Sequence, residues 1–200
     1  MSVRELATRL PDVRTVRSRS IALATLDAII SEEWSSRWYS FDLAWGEHEQ
    51  LGSMRNGGGD EYSIVFAQSG VFVRGFDHES EMSPYKRKPN SLWPGLVEQI
   101  PETFLEFVNE PAFSAQSGVP LMTICLWRSY SDDAWSCGDV AYPSENTDVD
   151  GSGWLFAQLL AGSPQGYSEF ASQYFGTNLE LSDVAAVYLG NRSLGNRFVA

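Results

Sequence analysis

The chain has 200 residues, 43% of them hydrophobic and 20% charged, with 7 Trp, 8 Tyr and 11 Phe. That is too apolar for a disordered segment and too short for two independent cores, so one domain over 1–200 is expected. The 14 Lys and Arg against 26 Asp and Glu leave a formal net charge of -12, which repels nucleic-acid phosphates and anionic lipid and favours a basic protein partner.

Two Cys exclude a disulfide scaffold, and no Cys/His set has the spacing of a structural zinc site; neither a metal nor any other cofactor is expected. Charge is uneven along the chain. Residues 1–20 hold five Arg against Glu5 and Asp12, whereas residues 89–200 hold three basic against thirteen acidic residues. The Arg-rich start reads either as a helix face pairing with the acidic half or as a basic arm. Glu5 and two Arg interrupt the opening before a secretory apolar core could form, and no stretch reaches the roughly 18 apolar residues of a membrane span. A cytoplasmic protein is expected, its oligomeric state left open.

In chain order, Val13, Val16, Ile21, Leu23, Leu26, Ile29 and Ile30 predict a helix ending near Glu33, with Asp27 on its polar side. Tyr39, Phe41, Leu43 and Trp45 then alternate with Ser40 and Asp42, a strand with one wetter face. Residues 56–60 form a glycine-rich connection. Tyr62 to Phe76 reads as a hairpin around Gln68-Ser69-Gly70; pairing Ala67 with Val71 sets Phe66 opposite Phe72, Val65 opposite Val73 and Tyr62 opposite Phe76. Apolar groups on both of its faces place it at the centre of a sheet.

A basic, proline-containing loop covers Ser83 to Pro89, followed by a short helical segment through Ile100 and a helix from Pro101 with Phe104, Leu105 and Val108 inward. Residues Pro120 to Arg128 form a strand, and Trp135 to Val140 return across a turn centred on Ser131, which sets Cys125 opposite Cys137 and Trp127 opposite Trp135. The acidic stretch from Ser144 to Gly153 reads as a loop. Helices follow over Trp154–Leu160, from Ser163-Pro164 to Gly176, and from Ser182-Asp183 to Gly190. The fold class is α+β, a central, mainly antiparallel sheet flanked by N-terminal and C-terminal helices, with Phe66, Phe72, Phe104, Leu159 and Phe170 in its core.

Glu47-His48-Glu49 and Asp77-His78-Glu79 contain both histidines of the chain. If the Trp38 and Val71 strands run parallel, the two triplets share one sheet end, where imidazoles and carboxylates can bind a divalent metal or move protons. Neighbouring residues on an extended chain point to opposite faces, however, so each triplet offers a single point either its His or its acids. The plainer readings are a solvated strand end for the first and, for the second, a turn held by hydrogen bonds within Asp77 to Ser83. Trp127 and Arg128 with Asp132, Asp133 and Trp135 form a polar-aromatic cluster, either an Arg128–carboxylate pair across the turn or an exposed binding face. Ser80 lies too near His78 to build a triad locally, and no Gly-x-Ser-x-Gly elbow is present. Cys125 and Cys137 read as buried thiols.

The run Gly75-Phe76-Asp77-His78-Glu79-Ser80-Glu81-Met82-Ser83-Pro84-Tyr85, with Trp93-Pro94-Gly95 and Asn109-Glu110-Pro111-Ala112-Phe113, resembles an uncharacterised bacterial protein family. The likeness takes in Gly58-Gly59-Asp60, Trp127-Arg128 and Asp150-Gly151, and so spans about residues 40–175. Some relatives in that family are similar to small immunity proteins of bacterial toxin systems. The resemblance implies an immunity-like binding role and supplies no catalytic residue.

Two functions are therefore expected to compete. One is a non-enzymatic acidic binding protein whose acidic C-terminal half engages a basic partner, with Asp77, His78, Glu79, Ser80, Trp127, Arg128, Asp132 and Asp133 as candidate contacts. The other is a small hydrolase or metal-dependent enzyme centred on Asp77, His78 and Glu79.

Overall fold

In a computed structural model, which describes residues 1–144 and 148–190, Ser2 and Glu5 cap each other's backbone and start helix α1 (Val3–Arg9). Asp12 accepts from the Thr15 amide and starts α2 (Val13–Ile30), which ends three residues before the expected Glu33. Val3, Leu6, Leu10, Val16, Leu23 and Leu26 are buried in the main core, so the Arg-rich start is packed rather than free. Three of its five arginines find partners elsewhere in the fold: Arg4 meets Asp139 and the Val140 carbonyl, Arg17 the Gln50 side-chain oxygen, and Arg19 the carbonyls of Leu159 and Leu160.

Six strands follow as a single antiparallel sheet in sequence order: β1 (Tyr39–Gly46), β2 (Glu49–Arg55), β3 (Glu61–Ala67), β4 (Gly70–Phe76), β5 (Ile124–Ser129) and β6 (Ser136–Cys137). Three antiparallel steps separate β1 from β4. The two therefore run antiparallel, and the parallel arrangement that would have joined the histidine triplets does not exist.

Strand β2 escapes the sequence pattern because Glu49-Gln50-Leu51-Gly52-Ser53-Met54-Arg55 lacks a clean alternation. Gly52 is there for α2: a Cβ on it would stand 3.1 Å from the Ser20 Cβ. The alternation of β1 also fails locally. Between Asp42 and Gly46 the register shifts, the Asp42 carboxylate takes the Ala44 amide, Leu43 is left 66% exposed, and Trp45 turns to stack on Phe113.

The central hairpin is where it was expected, but its register differs by one. Ala67 pairs with Gly70, Phe66 with Val71, Val65 with Phe72, Tyr62 with Gly75 and Glu61 with Phe76. The turn has two residues, Gln68-Ser69, and Gly70 belongs to the strand with φ +149. A one-residue change of register alters every cross-strand pair. The β5–β6 return is likewise offset: Leu126 pairs with Cys137 and Trp127 with Ser136, so Cys125 and Cys137 are free thiols that are not directly opposed.

One sheet face carries helices: Tyr39 meets Phe170 of α6 (Pro164–Tyr174), Gly52 meets α2, and Tyr62 stacks on Phe156, the residue between α4 (Ser152–Leu155) and α5 (Ala157–Ala161). Ser163 caps α6 as expected, and α7 (Leu181–Tyr188) closes the described chain. The other face is covered only in part. Phe107 of α3 (Leu105–Val108) meets Phe72, Phe113 lies under Arg74, and Tyr85 meets Phe76. Residues 94–100 make turns rather than the expected helix, and Leu105 points out at 41% exposure while Phe104, Phe107 and Val108 point in. Phe66, Phe72, Phe104 and Leu159 are core residues, whereas Phe170 is half-buried. The acidic stretch is described except at 145–147, which lie outside the described residues, as does the chain after 190.

Asp27 departs most from its sequence reading. It is completely buried, and its carboxylate accepts from the amides of Trp38 and Tyr39 and from the Tyr167 hydroxyl at 2.6 Å. It joins α2, the start of β1 and α6. Burial raises its pKa, and these hydrogen bonds oppose the rise.

Candidate functional site

The register of β3 and β4 decides what surrounds His78. Glu61 faces Phe76, so the next residues outward, Asp60 and Asp77, leave the sheet side by side. Asp60 is buried, with Asn56 Nδ2 on Oδ2 at 2.7 Å and the His78 backbone amide on Oδ1 at 2.9 Å. The His78 ring Nδ1 lies 2.6 Å from the same Oδ1, and Nε2 lies 3.2 Å from the exposed Glu79 carboxylate.

The hydrogen bond to Asp60 raises the His78 pKa, partial desolvation opposes this, and the nearby Asp60, Glu79 and Asp77 charges add to the rise. Burial alone would raise Asp60, yet the hydrogen bonds from His78 and Asn56 hold it below the ordinary carboxylate value. The His78 network thus extends beyond its own turn to Asp60, eighteen residues upstream. Extending the hairpin register past Glu61 is the sequence operation that would have found it.

Asp77 organises the turn. Its Oδ1 accepts from the amides of Glu79 and Ser80, and its Oδ2 from the Trp154 indole at 3.0 Å. Ser80 is buried; its hydroxyl donates to the Val149 carbonyl and accepts from the Met82 amide, which commits it to structure. His48 is at the opposite end of the sheet, in the β1–β2 turn with φ 62, and does not join His78.

The second polar-aromatic cluster is not an exposed face. Trp127 and Trp135 are buried, the latter donating its indole N–H to the Pro11 carbonyl. Arg128 Nε donates to the Asp132 backbone carbonyl and not to a carboxylate, while the Asp132 carboxylate receives the Ser129 amide. Asp133 is exposed in the same turn. Several acids of the C-terminal half are also used internally: Asp139 on Arg4, Asp148 on the Gly153 and Trp154 amides, and buried Asp150 on Tyr142, Val3 and Ser152.

A groove of about 510 Å³ occupies the uncovered part of the sheet. Ser40, Ser53 and Ser63 form its floor with Leu51, Trp34 stacked under Arg55 flanks it, and Trp45 on Phe113 forms a wall. Fully buried Arg74 fixes that wall from beneath, placing its guanidinium over Phe113 and pairing with Glu61. Asp42 lies in the groove, whereas Glu49 and Glu106 line a separate depression at the β1–β2 turn, and Glu110 is close enough to act on the Glu49 charge. Burial, and then the charges of Glu106 and Glu110, raise the Glu49 pKa. None of these four acids forms an ion pair with Lys or Arg among the described residues. The sequence pattern missed this site because it needs the undetected β2 and the irregular end of β1.

Compared with protein-family models, with curated proteins and with solved structures, the chain shows no match in any of the three. No helix of the described residues is long and apolar enough to cross a membrane.

Proposed function

We propose that this chain is a non-enzymatic binding protein that seats a basic segment of a partner protein in the groove over β1 and β2. The observation that carries the reading is an open apolar wall, Trp45 on Phe113, with Asp42 in its groove and Glu49 and Glu106 in the depression at the β1–β2 turn, none of the three in an ion pair with Lys or Arg among the described residues. Arriving cations relieve the repulsion between Glu49 and its acidic neighbours, while Lys or Arg stems cover the aromatic surface. The proposed surface takes only Glu106 and Glu110 from the acidic 89–200 half and adds Asp42 and Glu49, while Asp139, Asp148 and Asp150 of that half are committed within the fold. The net charge of -12 disfavours nucleic acid and anionic membrane as partners. An immunity-like role toward a basic toxin fits both this surface and the family resemblance. A cytoplasmic setting fits the two free thiols.

The test uses a fluorescent Lys/Arg-rich peptide of roughly ten residues with one aromatic, read by polarisation at several salt concentrations. Saturable, salt-sensitive binding is expected. It should weaken about tenfold or more, equivalent to about 1.4 kcal/mol, in a Glu49→Lys/Glu106→Lys variant, and stay unchanged in a Glu169→Lys/Glu180→Lys variant, which alters net charge equally on exposed C-terminal helix and loop positions. No saturable binding, or equal weakening in both variants, overturns the reading.

A further inference from the structure

We propose that Asp60, Asp77 and His78 form a binding site for one divalent transition-metal ion of the zinc or manganese kind. Each residue offers a ligand atom that lies within 4.8 Å of the other two. Ligand atoms bonded to one ion at about 2.0–2.2 Å stand roughly 3–4.4 Å apart, so the widest pair closes by a few tenths of an ångström at most, while His78 Nδ1 and Asp60 Oδ1, now 2.6 Å apart, open by about half an ångström. The β3–β4 ladder brings the two aspartates together, and the residue after Asp77 supplies the imidazole.

The surrounding contacts hold the ligands as the outer contacts of a metal centre do. Asn56 fixes Asp60 Oδ2, the His78 amide fixes Asp60 Oδ1, and the Glu79 and Ser80 amides with the Trp154 indole fix Asp77. All of these donors are neutral. Neither aspartate forms an ion pair with Lys or Arg among the described residues, because Lys86 meets Glu79 instead. The cationic group that Asp60 contacts is therefore His78 itself, whose proton the ion displaces, and each carboxylate retains lone pairs for a ligand bond.

One imidazole nitrogen with two carboxylate oxygens suits borderline first-row ions better than Mg²⁺ or Ca²⁺, which favour all-oxygen shells. The ion displaces the proton shared by His78 Nδ1 and Asp60 Oδ1, which leaves to solvent as the two atoms move apart, and water completes the coordination. Glu79, three-quarters exposed, is not part of the set, so the centre differs from the Asp77, His78 and Glu79 grouping read from the sequence.

The test strips the whole protein with a chelator and titrates it calorimetrically with ZnCl₂ and, separately, with MgCl₂. One Zn²⁺ per chain and no saturable Mg²⁺ uptake over the same range are expected. The Zn²⁺ dissociation constant should rise by about tenfold or more in Asp77→Asn and in His78→Ala, and remain unchanged in His48→Ala. Because the first two variants also touch the turn, trace Mn²⁺ added to the wild-type protein gives a second readout: it should broaden the His78 ring NMR signals before those of His48. Absence of saturable Zn²⁺ binding, unaltered affinity in Asp77→Asn, or earlier broadening of His48 overturns the proposal.

Discussion

At the scale of single residues, His78 and Asp60 act as a pair whose strength depends on both being charged. His78 has a folded pKa above its ordinary 6.5, so its contribution to stability is fully present below pH 6.5 and is lost as pH rises through the folded value. Asp60 has a folded pKa below 3.8, so its contribution is present above pH 3.8 and is lost as pH falls through the folded value. The pair is strongest between those limits. In metal-free protein, Asp60→Asn keeps an oxygen for the two His78 donors and removes the charge; its denaturation midpoint should change less with pH, both above 6.5 and below 3.8, than that of the wild type. Parallel profiles for the two proteins would show that the pair contributes nothing. Asp27 illustrates the opposite case, a carboxylate that burial disfavours and that three donors hold in place.

At the scale of elements, hairpin register has the widest consequences. A three-residue turn around Gln68-Ser69-Gly70 would put Gly70 in the loop, where a Cβ has room. In the observed two-residue turn Gly70 opens β4, and a Cβ there would stand 2.3 Å from the Arg128 carbonyl of β5 and 3.0 Å from the Phe104 ring. Gly70→Ala should therefore destabilise by about 1–3 kcal/mol through a backbone clash and an unfavourable φ, read as a lower urea midpoint. A neutral result would favour the longer loop. The same register sets Asp60 beside Asp77, so the hairpin turn at one end of the sheet determines which groups meet at the other.

At the scale of the whole molecule, the N-terminal and C-terminal helices cover one sheet face while residues 84–113, α3 among them, cover only the β3–β5 side of the other. Phe72 lies at the middle of that cover, fully buried against Phe107. Phe72→Ala should cost about 3–5 kcal/mol by chemical denaturation, since truncation leaves a cavity between two rigid layers. A cost below about 1 kcal/mol would contradict the packing. The uncovered β1–β2 surface is a consequence of the same layout, because the covering segment ends at Phe113, whose ring meets Trp45, and then turns toward β5.

The helix periodicity of residues 13–30, the cap at Ser163-Pro164, the glycine stop at Gly176 and the apolar run on both sides of Gln68-Ser69 were sufficient to determine an α+β fold with a central antiparallel hairpin. These signals are local: spacing, caps and turn residues act within a few positions of one another. They also singled out His78 as the centre of a polar network. Tertiary structure alone decided the rest. Strand β2 depends on α2 leaving room only for Gly52, and Asp27 is buried because two later segments bring three donors to it. Asp60 lies beside Asp77 through a register in which one residue more or less in a turn exchanges every partner, a choice that packing across the whole sheet makes and local sequence does not encode.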